Sequence, residues 1–376
     1  MMFSQEKLIG AVDFAANKWC YNAYEKYCGA ITLEDLFTSD HVSICASRCA
    51  SGFMYKKDTR KFMRNREYNA YLLRRKVLAG SYTPKYYPVK HILERGKTRK
   101  IRPPVFECKV VQKVLCDYMI RPLLTPQMVS TNYASVTGRG TDKMHEDIER
   151  TLNRMLIDKA PRVVIITDYK DYFGSIPHKQ LRDMFGRYIK DQRIVDLIML
   201  FCEDGPGDCG LSLGNEVSQI PASCYPSPID HYFKDRYQIP RFRYMDDALS
   251  VVSTEDADWY IQTVKGLSEE LGLSLPDHKI LTLPLGQEFV FCKERYYMSK
   301  FTGQYYRMIN GNRPKTEIRK LGAMKAENVP DTVILSQYKS VRGSIAEHGH
   351  TYLILRKMDA AYEKAGVKPA FQNKIT

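Results

Sequence analysis

The chain has 376 residues and carries 57 lysines and arginines against 43 aspartates and glutamates, a formal net charge of +14 at pH 7. Its 44% hydrophobic content is enough for a folded core, which excludes an intrinsically disordered chain. No apolar run reaches the ~20 residues that a membrane-spanning helix needs, and the N-terminus lacks the apolar stretch of a signal peptide. We therefore expect a cytoplasmic protein with no membrane partner.

The excess of positive charge favours an acidic partner. Nucleic acid is the commonest explanation for such a charge, and an acidic protein or membrane surface is the alternative. The 26 tyrosines suit base stacking where they are interleaved with lysine and arginine. Residues 54–76 show this interleaving and are predicted to form a basic helix, in which Arg74 and Arg75 are candidate nucleic-acid contacts. A solvated helix face is the alternative.

The next predicted elements lead to an apolar strand. Residues 90–104 predict a hairpin with a cationic tip, and helices are predicted over 108–124 and 144–155. The β-branched run 162–167 is too apolar for an exposed edge, so we expect a central strand that ends at Asp168. A helix is then predicted over 178–202.

The second half of the chain alternates between helices and short strands. A helix over 216–236 is expected to start irregularly because it contains prolines, and 241–253 predict a hairpin with two acids at its turn. Ser253 and Asp256 form a capping box for the helix that follows. Strands are predicted over 279–284 and 289–298, and helices over 316–326, 332–347 and 351–366. This order is a variation on the split βαβ plan.

Three carboxylates are candidates for chemistry. Asp168 ends the predicted central strand, and Asp246 and Asp247 occupy the predicted turn, positions that turn chemistry alone can also explain. Adjacent acids repel one another, and a divalent cation is the simplest way to offset that repulsion. If the hairpin lies beside the strand, the three acids form an all-oxygen site suited to magnesium. Two ions about 4 Å apart would activate a primer hydroxyl and stabilise departing pyrophosphate.

Two segments resemble the catalytic motifs of reverse transcriptases. Tyr244-Met245-Asp246-Asp247 is similar to the catalytic hairpin of that family, and the run 168–178 resembles its first catalytic motif, about 78 positions upstream. The resemblance covers roughly residues 90–300. It implies an RNA-directed DNA polymerase, a nucleotidyltransferase with an α+β right-hand architecture. Such an architecture has fingers, a ferredoxin-like palm (an antiparallel sheet backed by helices) and a small helical thumb.

The resemblance also implies domain boundaries. An N-terminal helical extension and the start of the fingers would span residues 1–89, and the fingers would continue over 90–165. The palm, interleaved with the fingers, would span 166–300, and the thumb would span 301–376. The roughly 75 residues after the palm are enough for a thumb but not for an additional nuclease domain.

Site residues follow from the same resemblance. Asp168, Asp246, Asp247 and the backbone carbonyl of Tyr169 would bind two Mg²⁺ ions, for which Mn²⁺ can substitute. Lys279 would protonate the leaving pyrophosphate. The remaining assignments are nucleotide contacts by Asp171, Tyr172 and Phe173, triphosphate contacts by Lys97, Arg99 and Arg102, and nucleic-acid contacts by Tyr244 and Met245. Phe173 would exclude a nucleotide that carries a 2′-hydroxyl, and the alternative is an ordinary core residue. For Lys97, Arg99 and Arg102 the alternative is a solvated hairpin.

The segment 212–219 departs from most bacterial relatives. Leu213 replaces the glutamine that usually precedes Gly214, and Ser218-Gln219 replaces a Ser-Pro pair. This pattern is similar to the reverse transcriptases of diversity-generating retroelements, which copy a template-repeat RNA into cDNA with errors opposite adenine. Leu213 provides an apolar surface but no hydrogen bond to an incoming nucleotide, which would weaken discrimination between correct and incorrect base pairs. The alternative is a leucine that merely fills a pocket wall.

The implied partners are template RNA, a primer or cDNA strand, dNTPs and a small basic oligomeric accessory protein of the retroelement. The alternatives in the same family are a retron, phage-defence or group II intron-like reverse transcriptase. The alternative from another class is a catalytically silent RNA-binding scaffold. Three clustered acids argue against a scaffold, which gains nothing from unpaired carboxylates.

Overall fold

The computed structural model describes residues 30–94, 97–203, 207–309, 312–346 and 352–367. Two compact units can be separated: the first lies within Met1–Ile148 and Ala160–Pro284, and the second within Glu149–Lys159 and Leu285–Thr376. The boundaries implied at 89, 165 and 300 are a different division of the chain, and they stay a prediction.

The first unit begins with helices. In chain order these are α1 (Leu33–Leu36), α2 (Ser39–Ala50), α3 (Lys57–Arg64) and α4 (Arg66–Leu78). The prediction of one helix over 54–76 is wrong, because Asn65 leaves the helical conformation with φ −129° and ψ 57°. Asn69 donates from Nδ2 to the carbonyl of Phe62 (2.9 Å), which satisfies one of the free acceptors at the end of α3.

The predicted cationic hairpin is confirmed. Strands β1 (Lys90–Glu94) and β2 (Lys97–Ile101) pair antiparallel, with Lys90 opposite Ile101. The predicted helix over 108–124 is continuous: α5 (Phe106–Leu115) passes through a π-helical turn, Cys116–Ile120, into α6 (Arg121–Leu124). The next predicted helix is α7 (Thr141–Met155).

A four-stranded antiparallel sheet forms the centre of the first unit. Its strands are β3 (Arg162–Asp168), β4 (Arg241–Tyr244), β5 (Asp247–Ser253) and β6 (Ile280–Pro284), in the spatial order β4-β5-β3-β6. The prediction of an interior strand that ends at Asp168 is confirmed, as is the hairpin of β4 and β5. The side chains of Val164 and Ile165 are buried, as the apolar run requires.

Further helices belong to the sheet-containing unit: α8 (Tyr172–Ser175), α9 (His178–Gly186), α10 (Gln192–Cys202), α11 (Glu216–Cys224), α12 (Ser227–His231) and α13 (Ala257–Glu270). The prediction of one helix over 178–202 is wrong. Asp191 starts α10 as a new helix, because its carboxylate accepts from the backbone N–H of Arg193 (3.1 Å) and of Leu33 (2.8 Å). The capping box predicted at Ser253 and Asp256 is wrong, because α13 begins at Ala257 and the side chain of its N-cap residue, Asp256, makes no capping hydrogen bond. Asp256 N instead donates to Ser253 Oγ (3.1 Å) in the turn before the helix.

The second unit contains a three-stranded sheet and three helices. They are β7 (Phe289–Phe291), β8 (Glu294–Met298), β9 (Tyr305–Ile309), α14 (Asn312–Ala326), α15 (Asp331–Ala346) and α16 (Tyr352–Lys364). The three helices agree with the prediction. The single strand predicted over 289–298 is wrong, because Cys292 and Lys293 adopt φ 43° and 77° and turn the chain into a hairpin. The protein is thus of mixed α+β class, and its described strands pair antiparallel.

Candidate active site and adjacent cavity

The register of the central sheet places two of the predicted acids opposite each other. Asp168, the last residue of β3, pairs with Asp247, the first residue of β5, and Tyr244 pairs with the same Asp247 from β4. Opposite residues of an antiparallel pair have Cβ atoms about 4.5–5.5 Å apart. Asp246 lies one position earlier, in the turn between β4 and β5. The backbone therefore brings the three predicted acids to one end of the sheet.

Lys279 joins this group from the neighbouring strand. It ends the 3₁₀ turn Asp277–Lys279 just before β6, and its ammonium group contacts Oδ2 of Asp168. The side chains of Lys279 and Asp168 are 30% and 36% exposed, so the ion pair lies at an accessible surface rather than in the core. Like charges opposite one another destabilise a sheet, and the Lys279 cation offsets that repulsion.

The donor chemistry of the acids is that of a magnesium site, but a closed ligand cluster is not formed. Within the described residues, no group of three or more His, Cys, Asp or Glu side chains is arranged to hold a metal ion. Carboxylate oxygens are the ligands that magnesium prefers. Asp168 is instead paired with Lys279. The arrangement thus consists of two facing carboxylates, a third on the adjoining turn, and one lysine.

The segment after Asp168 is fixed by close backbone contacts. Asp171 adopts the left-handed conformation (φ 46°), and its carboxylate lies over Gly174, where any Cβ would overlap with it. Glycine is therefore the residue that this approach permits. The carbonyl of Phe173 accepts from the N–H of Leu211 (2.7 Å), which joins the predicted catalytic segment to the loop that carries Leu213.

Two tyrosines of this segment are buried. The rings of Tyr169 and Tyr172 stack with centroids 5.6 Å apart. The Tyr172 hydroxyl donates to the carbonyl of Ala222 (2.5 Å), and the Tyr169 hydroxyl hydrogen-bonds Ser268 Oγ (3.2 Å). Burial raises the pKa of both phenols, so both stay neutral. The Tyr172 side chain thus supports helix α11, whereas the half-buried Phe173 packs edge-on against it.

Proline chemistry explains why the Ala222 carbonyl is available. In a continuing helix this carbonyl would accept from the N–H of residue 226, but Pro226 has none. The Tyr172 hydroxyl supplies the missing donor. Next to it, the carbonyl of Ser223 accepts from Asn132 Nδ2 (2.9 Å) and from Arg243 Nη2 (2.7 Å). Both carbonyls at the end of α11 are therefore satisfied by side chains from other elements.

The loop that carries Leu213 ends in a capped helix start. Gly214 has φ 95°, a conformation that favours glycine, and Leu213 is half-buried beside it. Asn215 caps α11, because its Oδ1 accepts from Ser218 N (2.7 Å) while its Nδ2 donates to the carbonyl of Phe201 (3.1 Å). This accounts for Ser218 as a buried structural residue.

A cavity of about 610 Å³ lies next to this loop and is lined by Gly214 and Tyr244, two of the predicted site residues. Its polar lining was not foreseen from the sequence: Arg121, Arg139, Glu216 and Gln219. Arg121 donates to Glu216 Oε1 and to the carbonyl of Ser135 (3.3 Å). The only sequence signal was the pair Arg139 and Gly140 in a glycine-rich turn, which does not by itself indicate a cavity.

A buried ion cluster beneath the hairpin was also missed. Arg241, Arg243 and Asp230 are 2%, 0% and 1% exposed. Asp230 binds Arg241 Nε through Oδ1 (2.9 Å) and Arg243 Nε through Oδ2 (2.6 Å). The available signal was their spacing, because residues two apart on a strand share a face and two arginines on a buried face require an acid.

The remaining predicted contacts lie on other elements. Lys97 is opposite Glu94 and Arg99 is opposite Ile92 in the β1–β2 hairpin, and Arg102 follows it as an exposed residue. Met245 lies in the turn of the β4–β5 hairpin with φ 57°.

The two arginines predicted to bind nucleic acid have different surroundings. Arg74 is half-buried and donates from Nε to the carbonyl of Phe37 (2.8 Å). Arg75 is exposed, with its guanidinium 5.9 Å from the ring centroid of Tyr71. Tyr68 and Tyr71 are 62% and 46% exposed. Tyr68, Tyr71 and Arg75 are three and four positions apart on α4 and form an exposed stripe, defined here as these three residues.

Comparisons with known proteins give a weak relationship. No protein-family model matches the chain. The chain is similar to Protein YkfC of Escherichia coli (strain K12), with 26% identity over 180 residues, which is 44% of this chain and 45% of YkfC. The chain thus matches less than half the length of that relative. Among the helices of the described ranges, none is both long and apolar enough to cross a membrane.

We expect Tyr172→Phe to lower the free energy of unfolding by about 1–3 kcal/mol, because it leaves the buried Ala222 carbonyl without a donor. Tyr169→Phe is the matched control, since Ser268 Oγ keeps its bond to the carbonyl of Val264 when the Tyr169 hydroxyl is removed. Urea unfolding of both variants measures the difference. Equal losses in the two variants would contradict the role assigned to the Tyr172 hydroxyl.

Proposed function

We propose that this protein is an RNA-directed DNA polymerase of the reverse transcriptase type, acting by two-metal-ion nucleotidyl transfer. One observation carries the proposal: the register sets Asp168 opposite Asp247, with Asp246 on the adjoining turn. These acids are the ones that the two motifs singled out. Their facing positions at a partly exposed end of the sheet support a shared cation site.

Within this proposal, the residues have distinct tasks. Asp168, Asp246, Asp247 and the carbonyl of Tyr169 would hold Mg²⁺ or Mn²⁺, which when bound supplies Lewis-acid activation of the primer hydroxyl and charge stabilisation. Lys279 places its ammonium group beside Asp168 and is the proposed proton donor to pyrophosphate.

The nucleotide would be held from both sides. The proposed contacts are Lys97, Arg99 and Arg102 with the triphosphate, and Asp171, Phe173, Leu213 and Gly214 with the nucleotide. Tyr172 would contribute through its backbone, because its hydroxyl is engaged with Ala222.

We assign the enzyme to the diversity-generating subtype on the segment 212–219, with adenine-mutagenised cDNA from a template-repeat RNA as the product. The proposed architecture is the right-hand polymerase architecture, with the four-stranded sheet as palm, the β1–β2 hairpin within the fingers and α14 to α16 in the thumb. The same proposal includes a small basic oligomeric accessory protein as a partner. It also places the enzyme in the cytoplasm of a bacterium or of a phage-infected cell.

We expect Asp246→Asn to abolish Mg²⁺-dependent dNTP incorporation on a primed homopolymer RNA, because it removes one carboxylate charge from the metal site. Glu255→Gln is the control, since Glu255 is exposed in the turn at the opposite end of β5. Incorporation of labelled nucleotide measures both. Activity retained in Asp246→Asn would contradict the role assigned to Asp246. Activity absent from the unmodified protein with Mg²⁺ or Mn²⁺ would favour the silent RNA-binding scaffold.

We expect Leu213→Gln to lower misincorporation opposite template adenine, because an amide restores a directional hydrogen bond near the incoming nucleotide. Each ~1.4 kcal/mol of added discrimination gives a tenfold lower error rate. Sequencing of cDNA made by both forms on one template measures the error at each base. Unchanged misincorporation opposite template adenine in Leu213→Gln would indicate that Leu213 merely fills a pocket wall.

Template RNA would lie along the exposed stripe of α4, where exposed rings stack unpaired bases and cations contact phosphates. We expect Arg75→Gln to reduce the log–log salt slope of RNA binding by about one unit, because one phosphate contact is lost. Arg74→Gln should leave the slope unchanged, since Arg74 is bound to the Phe37 carbonyl. Binding of a labelled single-stranded RNA at several salt concentrations gives the slopes, and equal slopes in all three proteins would return the stripe to a solvated helix face.

A further inference from the structure

The turn between β4 and β5 contains a strained residue. Met245 has φ 57°, a region that non-glycine residues rarely adopt and that costs about 1–2 kcal/mol. Met245 is the first of the two residues that join β4 to β5, and turns of this length that fit the twist of their strands have φ > 0 at that position. A conformation of this kind persists only where surrounding contacts enforce it.

The side chain of Arg243 provides such a contact. Its Nη1 donates to the carbonyl of Met245 (3.1 Å) and its Nη2 to the carbonyl of Ser223 (2.7 Å). One rigid guanidinium thus ties the strained turn to the end of helix α11. A planar group with several donors in fixed directions can do this, whereas a single ammonium cannot.

Arg243 is itself held in place from three sides. Its N–H donates to the carbonyl of Thr131 and its carbonyl accepts from the N–H of Tyr133, both at 3.0 Å. Its Nε donates to Asp230 Oδ2 (2.6 Å). Because Tyr133 and Asp230 are themselves buried, the guanidinium has little freedom to move away from the turn.

Arg241 offers an internal comparison. It is equally buried and binds the other oxygen of Asp230, but its Nη1 reaches Tyr260 OH (2.7 Å) and Ser250 Oγ (3.4 Å) instead of the turn. Its Nη2 is buried without a hydrogen-bond partner. Both arginines are therefore buried cations that bind Asp230, but only Arg243 contacts Met245.

We infer that Arg243 is a positioning residue that fixes the Met245 turn, and with it Asp246 and Asp247, whereas Arg241 serves only the stability of the core. The catalytic part of this inference rests on the proposed polymerase function. The conformational part does not, because it concerns the order of the turn in the protein without substrate.

The test compares Arg243→Lys with Arg241→Lys in the full-length protein. Lysine keeps a cation beside Asp230, which avoids the loss of fold expected when a buried acid is left unpaired. Two readouts are taken at a temperature where thermal melting shows both variants folded: hydrogen–deuterium exchange of the peptide that covers 244–247, and kcat and KM for dNTP on a primed RNA.

We expect faster exchange at 244–247 in Arg243→Lys alone, with kcat reduced by about tenfold or more and KM changed far less, because misplacement of reacting groups affects the chemical step. Arg241→Lys should match the unmodified protein at the turn and in kcat. Equal exchange at the turn in the two variants overturns the inference. If the exchange differs as expected but the unmodified protein incorporates no nucleotide, the positioning role stands and the polymerase proposal fails.

Discussion

The antiparallel register between β3 and β5 is the constraint on which the candidate site depends. Side chains alternate between the two faces of a strand, so a shift of one residue would move every buried side chain of β3 to the opposite face. Val164 and Ile165 are both buried in the interior of the sheet, where β5 and β6 pair with either edge of β3. The observed pairing of this strand also places Asp168 opposite Asp247, although neither acid contributes to the core.

The end of helix α11 is the second organising feature. Its last carbonyls lack partners within the helix, because a proline follows at 226 and the chain turns into α12. Tyr172, Arg243 and Asn132 come from three different elements and satisfy these carbonyls. Buried polar groups need hydrogen-bond partners, and these bonds connect the segment after Asp168 and the β4–β5 hairpin to one helix end.

The sequence was sufficient where a pattern is long or has a defined period. The apolar run 162–167 and the alternation around 241–253 each correspond to observed strands. The sequence was not sufficient to predict the structure where a single residue ends a helix or turns a strand. Cys292 and Lys293 form a tight turn without the Asn-Gly signal that usually marks one, and Asn65 and Asp191 each divide a predicted helix. The strand β9 was not predicted.

The candidate site shows the same division. The acids could be selected from the sequence because they lie within motifs, and their facing positions follow from strand register. The roles of Tyr172, Asp230 and Arg243 depend on contacts between residues that are far apart in the chain, which no local pattern encodes. The cavity lining at Arg121 and Glu216 is of this kind as well, since 95 positions separate the two residues.

The buried cluster of Asp230, Arg241 and Arg243 has an electrostatic consequence. Two guanidinium groups share one carboxylate, so a formal excess of one positive charge is enclosed in low-dielectric surroundings within hydrogen-bond distance of the Met245 carbonyl. This charge lowers the electrostatic cost of placing acidic residues next to one another in the adjoining turn. The same charge repels other cations, and it therefore counteracts the attraction that the carboxylates of the turn exert on positive charge.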